Sequence, residues 1–306
     1  MVASIYIAHD SGADVISVVD GTWNGREWKG MKPAQICALL SSFSIFEEDQ
    51  GLKTEVTHSK SFSIQLGTRS QRTQLQPFLI LSSQKFLVQE QRDFLHLVEK
   101  CMDMIVSPLC IIAGAAGEPL GSSKLSKTHP KTIELRTVLA RMVAGLQAGE
   151  LESPSKGLVT QKGGERFSSG QVLDAMRSIS NQISNQVTYC ATMWIQHSFT
   201  PLLWTDKEVL VPESDENFLT LRSCIAVAAC GERDGPYAVH QVYLGDEFLE
   251  EGQEAEAGVC GLHVFRAPAN KDMCLAMICE SAEPFKSSEG DLFASISNLL
   301  ASLSGM

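Results

Sequence analysis

The sequence predicts an α+β protein that uses one plan twice, and three observations predict it. Short β-branched runs bounded by Gly, Ser, Pro or Asp recur in both halves of the chain, five in each. In each half a helical apolar pattern follows the first pair of strands, and a second helical pattern closes the half. The order β-β-α-β-β-β-α is therefore read twice, over 1–113 and 188–306, although the halves share few letters. A length of 306 residues agrees with two domains, because single cores stop growing at roughly 250–300 residues.

In the first half, "SIYIAHD" (4–10) and "VISVVDG" (15–21) flank "SGAD", a turn of Gly and small polar residues, and should pair antiparallel. "MKPAQICALLSSFSIF" then places Ile36, Leu39, Leu40 and Phe43 at i, i+3, i+4 and i+7, which predicts a helix over 32–46 with that stripe in the core. Pro33 suits its first turn. "KTEVTHS" (53–59), "FSIQLGT" (62–68) and "PFLILSS" (77–83) read as strands. The next helix aligns Phe94, Leu97, Val98, Cys101 and Ile105 and is expected to stop at Pro108.

Residues 114–187 read as a helical linker region with flexible Gly/Ser/Pro segments. It carries one helix with a stripe of Leu135, Val138, Leu139, Met142 and Leu146 and another with Val172, Met176, Ile179, Ile183 and Val187. In the second half, "TYCATMWIQ" and "TPLLWTD" are the first strands and "ENFLTLRSCIAVAAC" the inserted helix. "YAVHQVYL", "GVCGLHVFRA" and "DMCLAMICE" are the remaining strands. "EGDLFASISNLLASLS" closes with Leu292, Ile296, Leu299, Leu300 and Leu303 inward.

A formal net charge of −11 repels phosphate backbones and argues against nucleic acid as a partner. Nine cysteines without a CxxC pair read as small core residues of a reduced, cytosolic protein. "MVASIYIAHD" lacks a basic leader and is expected to be a strand, and no run reaches the roughly 18 apolar residues that span a bilayer.

"CIIAGAAGEPLGSSKLSK" (110–127) imitates a phosphate loop, but Lys124 comes two positions too late after Gly121, and the next helix starts only near Pro130. "SPSK" (153–156) has the SxxK spacing without its companion motifs. The seven histidines form no zinc-ligand spacing, so no metal or other cofactor is expected. Asp10, Asp14 and Asp20 surround the first hairpin. A carboxylate pair there is the basis of an enzyme reading, a small hydrolase, against which stands the habit of turn aspartates to bond their own backbone. With no nucleophile joined to a base, the expected role is binding and not covalent chemistry.

Two stretches look like contact surfaces. "GTWNGREWKG" (21–30) sets Trp23 and Trp28 just before the first helix, where the pair could either cap the core or, if exposed, anchor an interface. "GDEFLEEGQEAEAG" (245–258), with Glu250 and Glu251 at its centre, packs six carboxylates that could steer a basic partner.

An antiparallel five-stranded sheet with one helix inserted and another closing it resembles the longin fold. Two in tandem resemble the family of the calcium-caffeine-zinc-sensitivity, monensin-sensitivity, Hermansky-Pudlak, Fuzzy and Inturned subunits. "IYIAHD", "MKPAQICALLSSF" and "MWIQHSFTPLLW" look most similar to the calcium-caffeine-zinc-sensitivity type. The resemblance implies a subunit that pairs with a second longin-domain subunit and, as a complex, exchanges guanine nucleotide on a Rab-type GTPase. It also implies cytoplasmic residence with peripheral recruitment to endosomal or vesicle membranes. It places the GTPase platform on the first helix and its preceding loop, here Trp23, Trp28, Lys32 and Gln35. The alternative is an adaptor or tethering-complex scaffold without exchange.

Overall fold

The computed structural model of the chain describes residues 3–19, 30–50, 56–58, 62–81, 88–115, 125–148, 188–194, 215–231, 235–245, 254, 258–267, 274–279, 281–285 and 290–304. It is a mixed α/β protein with two antiparallel sheets, and the chain divides into two compact units, Met1–Pro154 and Ser155–Met306.

In the first unit, β1 (Ala3–His9) and β2 (Asp14–Val19) form the expected hairpin, with a bulge between Ile7 and Ala8. β3 (Val56–His58), β4 (Ser63–Leu66) and β5 (Leu75–Leu81) complete a sheet of order β2-β1-β5-β4-β3. The long step from β2 to β3 is filled by α1 (Pro33–Asp49), which lies on one face over Tyr6, Ala8, Phe78 and Ile80. The other face is covered by α2 (Val88–Ala115) and α3 (Pro130–Ala148), which also pack on each other. Alternation along β1 and β5 explains this division, since successive side chains point to opposite faces.

Three expectations need correction. First, α2 does not stop at Pro108: the helix continues to Ala115. An internal proline forfeits one hydrogen bond and costs about 3 kcal/mol, but Pro108 is itself buried and Ile111 beyond it still packs inward, so the apolar face extends through it. Second, the helix at 130–148 belongs to the first unit. Leu135, Val138, Leu139 and Met142 are buried, and the helix rests on β1 and β2 instead of lying in a connection. Third, the core stripe of α1 is not the one that spacing picked. Ile36 and Leu40 are buried, but Leu39 and Phe43 are exposed, and Cys37, Ser41 and Ser44 take their places.

In the second unit, β6 (Thr188–Trp194), β7 (Tyr237–Tyr243), β8 (Val259–Arg266) and β9 (Cys274–Cys279) stand in the order β6-β9-β8-β7. This is the order β1-β5-β4-β3 of the first sheet. α4 (Asp215–Cys230) is inserted before β7 and α5 (Gly290–Ser304) follows β9, as α1 and α2 do in the first unit. α5 packs Leu292, Ile296 and Leu300 on Phe265, Leu275 and Met277. On the opposite face Arg266 donates to the Ala228 carbonyl near the end of α4 at 2.6 Å, where a cation also suits the helix dipole. The strand expected at 200–206 and the helix expected at 169–187 lie outside the described residues.

The β4–β5 turn is fastened to α2 by carboxylates. Glu99 accepts the Thr68 backbone N–H at 2.5 Å, and Gly67 permits this approach, because a Cβ there would stand 2.8 Å from the Glu99 carboxylate. Burial pushes the carboxyl groups of Glu99 and Asp103 above their ordinary range, the hydrogen bonds from Thr68 and Ser70 acting against it. A carboxyl raised on folding contributes stability that is full below the unfolded value and is lost as pH rises through the folded one. Glu99→Gln, which keeps the acceptor and removes the charge, should therefore raise the melting temperature at pH 7.5, with the gain shrinking toward pH 5. Thermal denaturation across that range checks it.

Candidate functional site

The surface of α1 is the most unusual feature of the first unit. Its buried arc carries Ile36, Cys37, Leu40, Ser41, Ser44 and Glu47. Two side-chain contacts hold it in that register: the Cys37 thiol donates to the Asp14 carboxylate at 3.7 Å, and Gln76 of β5 donates to the Ser44 hydroxyl at 2.8 Å. Small residues at 37, 41 and 44 let the helix lie close to the sheet. The large apolar residues are left on the flank: Leu39 is 50% exposed, Phe43 41% and Phe46 59%, at i, i+4 and i+7 of one helix face. Met31 and Ile45 are also exposed. Single exposed apolar residues mean little, but a contiguous row of three on one helix makes this face the candidate contact surface of the first unit.

The charges of α1 point the same way. Lys32 stands at its N-cap, and Glu47, Glu48 and Asp49 crowd its last turn, with no basic residue there and no acidic one in the first turn. Both placements oppose the helix dipole, at about 0.3–1 kcal/mol for each exposed charge. Sequences accept such local conflicts chiefly where function requires them.

Of the residues singled out in the sequence, Lys32 and Gln35 are exposed at the start of α1. Gln35 accepts the Lys32 backbone N–H at 2.8 Å, which makes half of a capping box, since a lysine side chain has no acceptor to return the bond. Both residues lie on α1 with the apolar row. Trp23, Trp28, Glu250 and Glu251 lie outside the described residues, as does Asp20. Leu39 and Phe43 read as core in the sequence because period alone cannot tell which of two overlapping apolar stripes faces the sheet. The small polar residues at 37, 41 and 44 were the available signal.

The hairpin carboxylates separate in role. Asp10 sits in the turn beside the His9 imidazole, and its backbone N–H is held by the Gln74 carbonyl at 3.0 Å. Asp14 does not bond its own turn. Its side chain is 2% exposed and pairs at 2.5 Å with Lys127, 113 residues away and 55% exposed. Burial, then the Asp14 charge, push the neighbouring Cys37 thiol up to about 12, and Tyr6 is raised to about 12 mainly by burial. Cys37 is thus a protonated thiol at neutral pH and a poor nucleophile. The cluster works as a fastening between β2, α1 and the segment leading into α3. The loop that imitates a phosphate site starts with Cys110–Ala115 in the last turns of α2, where a phosphate loop would grow from a strand.

Among the described residues no group of three or more His, Cys, Asp or Glu is placed to hold a metal ion, and no helix is long and apolar enough to cross a membrane. A comparison with protein-family models finds no match, and neither does one with curated protein sequences.

Removing the Lys127 cation should leave Asp14 buried without its partner. Lys127→Met is expected to destabilise the protein by about 2 kcal/mol, below the range for wholly buried pairs because the lysine is half solvated. Adding Asp14→Asn should recover part of the loss. Chemical denaturation of the two single variants and the double variant measures the coupling.

Proposed function

We propose that this chain is a non-catalytic subunit of a longin-type complex that acts as a guanine-nucleotide exchange factor for a Rab-type GTPase in vesicle or endosomal trafficking. The observation that carries the reading is the outer face of α1, where Leu39, Phe43 and Phe46 are presented to solvent between terminal charges that oppose the helix dipole. The shared strand order β1-β5-β4-β3 and β6-β9-β8-β7, each with a helix inserted and a helix following, supports a tandem longin layout. The platform then consists of α1 with Lys32 and Gln35, extended by the preceding loop with Trp23 and Trp28.

Exchange on this reading needs no acid, base or metal from the chain. The complex has only to bind the nucleotide-free GTPase more tightly than the loaded one, displacing the switch segments and their magnesium. A second longin-domain subunit shares the task, and membrane recruitment is peripheral, through the complex. The acidic segment with Glu250 and Glu251 steers a basic surface of a partner.

The test is release of fluorescent GDP from a panel of Rab proteins by the chain copurified with its partner. At least one Rab should lose nucleotide faster by tenfold or more. Leu39→Glu with Phe43→Glu should abolish that acceleration, while the melting temperature stays within a few degrees of wild type, as for other surface substitutions. A complex that forms but accelerates no Rab would favour the adaptor or tethering scaffold.

A further inference from the structure

The exposed apolar residues of α1 belong to a longer seam with a regular spacing. Lys32, Gln35, Leu39, Ser42, Phe46 and Asp49 follow one another at alternating intervals of three and four, and all six are exposed. These are the a and d positions of a heptad repeat, the spacing by which two helices lie side by side with knobs in holes. No charged residue stands between Lys32 and Glu47, and Phe43 and Ile45 widen the apolar strip on its two sides.

The ends of the seam select the helix that fits it. A second α1 laid antiparallel, about a two-fold axis through the middle of the seam, sets Lys32 level with the other copy's Asp49, Gln35 with its Phe46 and Leu39 with its Ser42. Each level occurs twice, so opposite charges meet at both ends. A parallel pair would set lysine against lysine and aspartate against aspartate. The helix dipole favours the same arrangement. Lys32 at the N-cap and Asp49 in the last turn each oppose the dipole of their own helix, but in the antiparallel pair each lies beside the end of the other helix that attracts it. Asp49 carries the acidic end, because Glu47 is buried and Glu48 lies 3.8 Å from Arg69 of its own chain. The polar members of the seam are already provided for. The Ser42 hydroxyl donates to the Ala38 carbonyl at 2.8 Å, and the Gln35 side chain accepts the Lys32 backbone N–H, so a covering helix takes neither bond from them.

We propose that a second copy of the chain occupies this face, in an antiparallel α1–α1 homodimer. The pairing goes beyond the exchange reading and does not rest on it. It covers the surface assigned above to a GTPase, so the two occupants exclude one another. One helix face is a small interface, below about 1,200 Å², so the copies separate on dilution through the micromolar range and the dilute chain keeps its apolar row open.

Sedimentation velocity of the purified full chain, from about 1 to about 100 μM, tests the pairing without any GTPase or partner subunit. The average mass should rise from one chain toward two. Lys32→Glu and Asp49→Lys should each weaken self-association by about tenfold or more, and an equal mixture of the two variants should recover it, since the acidic end of one then meets the basic end of the other. Each replacement suits the dipole of its own helix, so neither variant should melt below wild type, which separates lost pairing from lost folding. A chain that stays monomeric throughout, self-association undiminished in Lys32→Glu or in Leu39→Glu, or a mixture no tighter than its two components would overturn the proposal. Failure of the homodimer leaves the exchange reading standing, because GDP release is measured on the complex and not on the lone chain.

Discussion

The seating of α1 on the first sheet is the contact on which the rest depends. A helix resting on a sheet can bury only part of its circumference, and α1 carries more apolar side chains than that arc can hold. The arc that is buried sets Ile36 and Leu40 against Tyr6, Phe78 and Ile80, each worth about 2 kcal/mol of apolar burial. The bonds from Cys37 to Asp14 and from Gln76 to Ser44 decide the register, because rotating Leu39 and Phe43 inward would break both and leave Asp14 and Gln76 in the core with fewer partners. The apolar row is therefore outside as a consequence of what is inside. An exposed apolar row thus arises from the packing of the helix alone.

The same logic of long-range polar fastening recurs. Lys127 closes the segment before α3 onto Asp14, Glu99 holds the β4–β5 turn to α2, and Arg266 holds the end of α4 to β8. In each case the partners lie far apart in sequence, 113, 31 and 38 positions respectively. These contacts fasten helices and connecting segments to the sheets they pack on.

Much of this was legible in the letters. Strands with β-branched alternation, the hairpin at 4–21, the helix at 290–304 and the part of the second helix before Pro108 follow from period and turn chemistry, which are local. What escaped was non-local. Pro108 reads as a stop, because its cost is local while the compensating burial of Ile111 is tertiary. The helix at 130–148 reads as a linker because Gly, Ser and Lys surround it, and only its packing on β1 and β2 assigns it to the first unit. Asp14 reads as a turn residue because its partner lies 113 positions away. The outer row of α1 was visible as apolar, but its direction depended on Gln76 and Asp14, which no helical period contains.

Covalent footprinting of α1, performed on the free chain and on the chain bound to its copurified partner and GTPase, addresses the central claim directly. Phe43 and Phe46 should label readily in the free chain and become protected in the complex, while Phe78 beneath the helix stays protected in both. Labelling of Phe43 and Phe46 that is already low in the free chain, or that the complex leaves unchanged, would contradict the account.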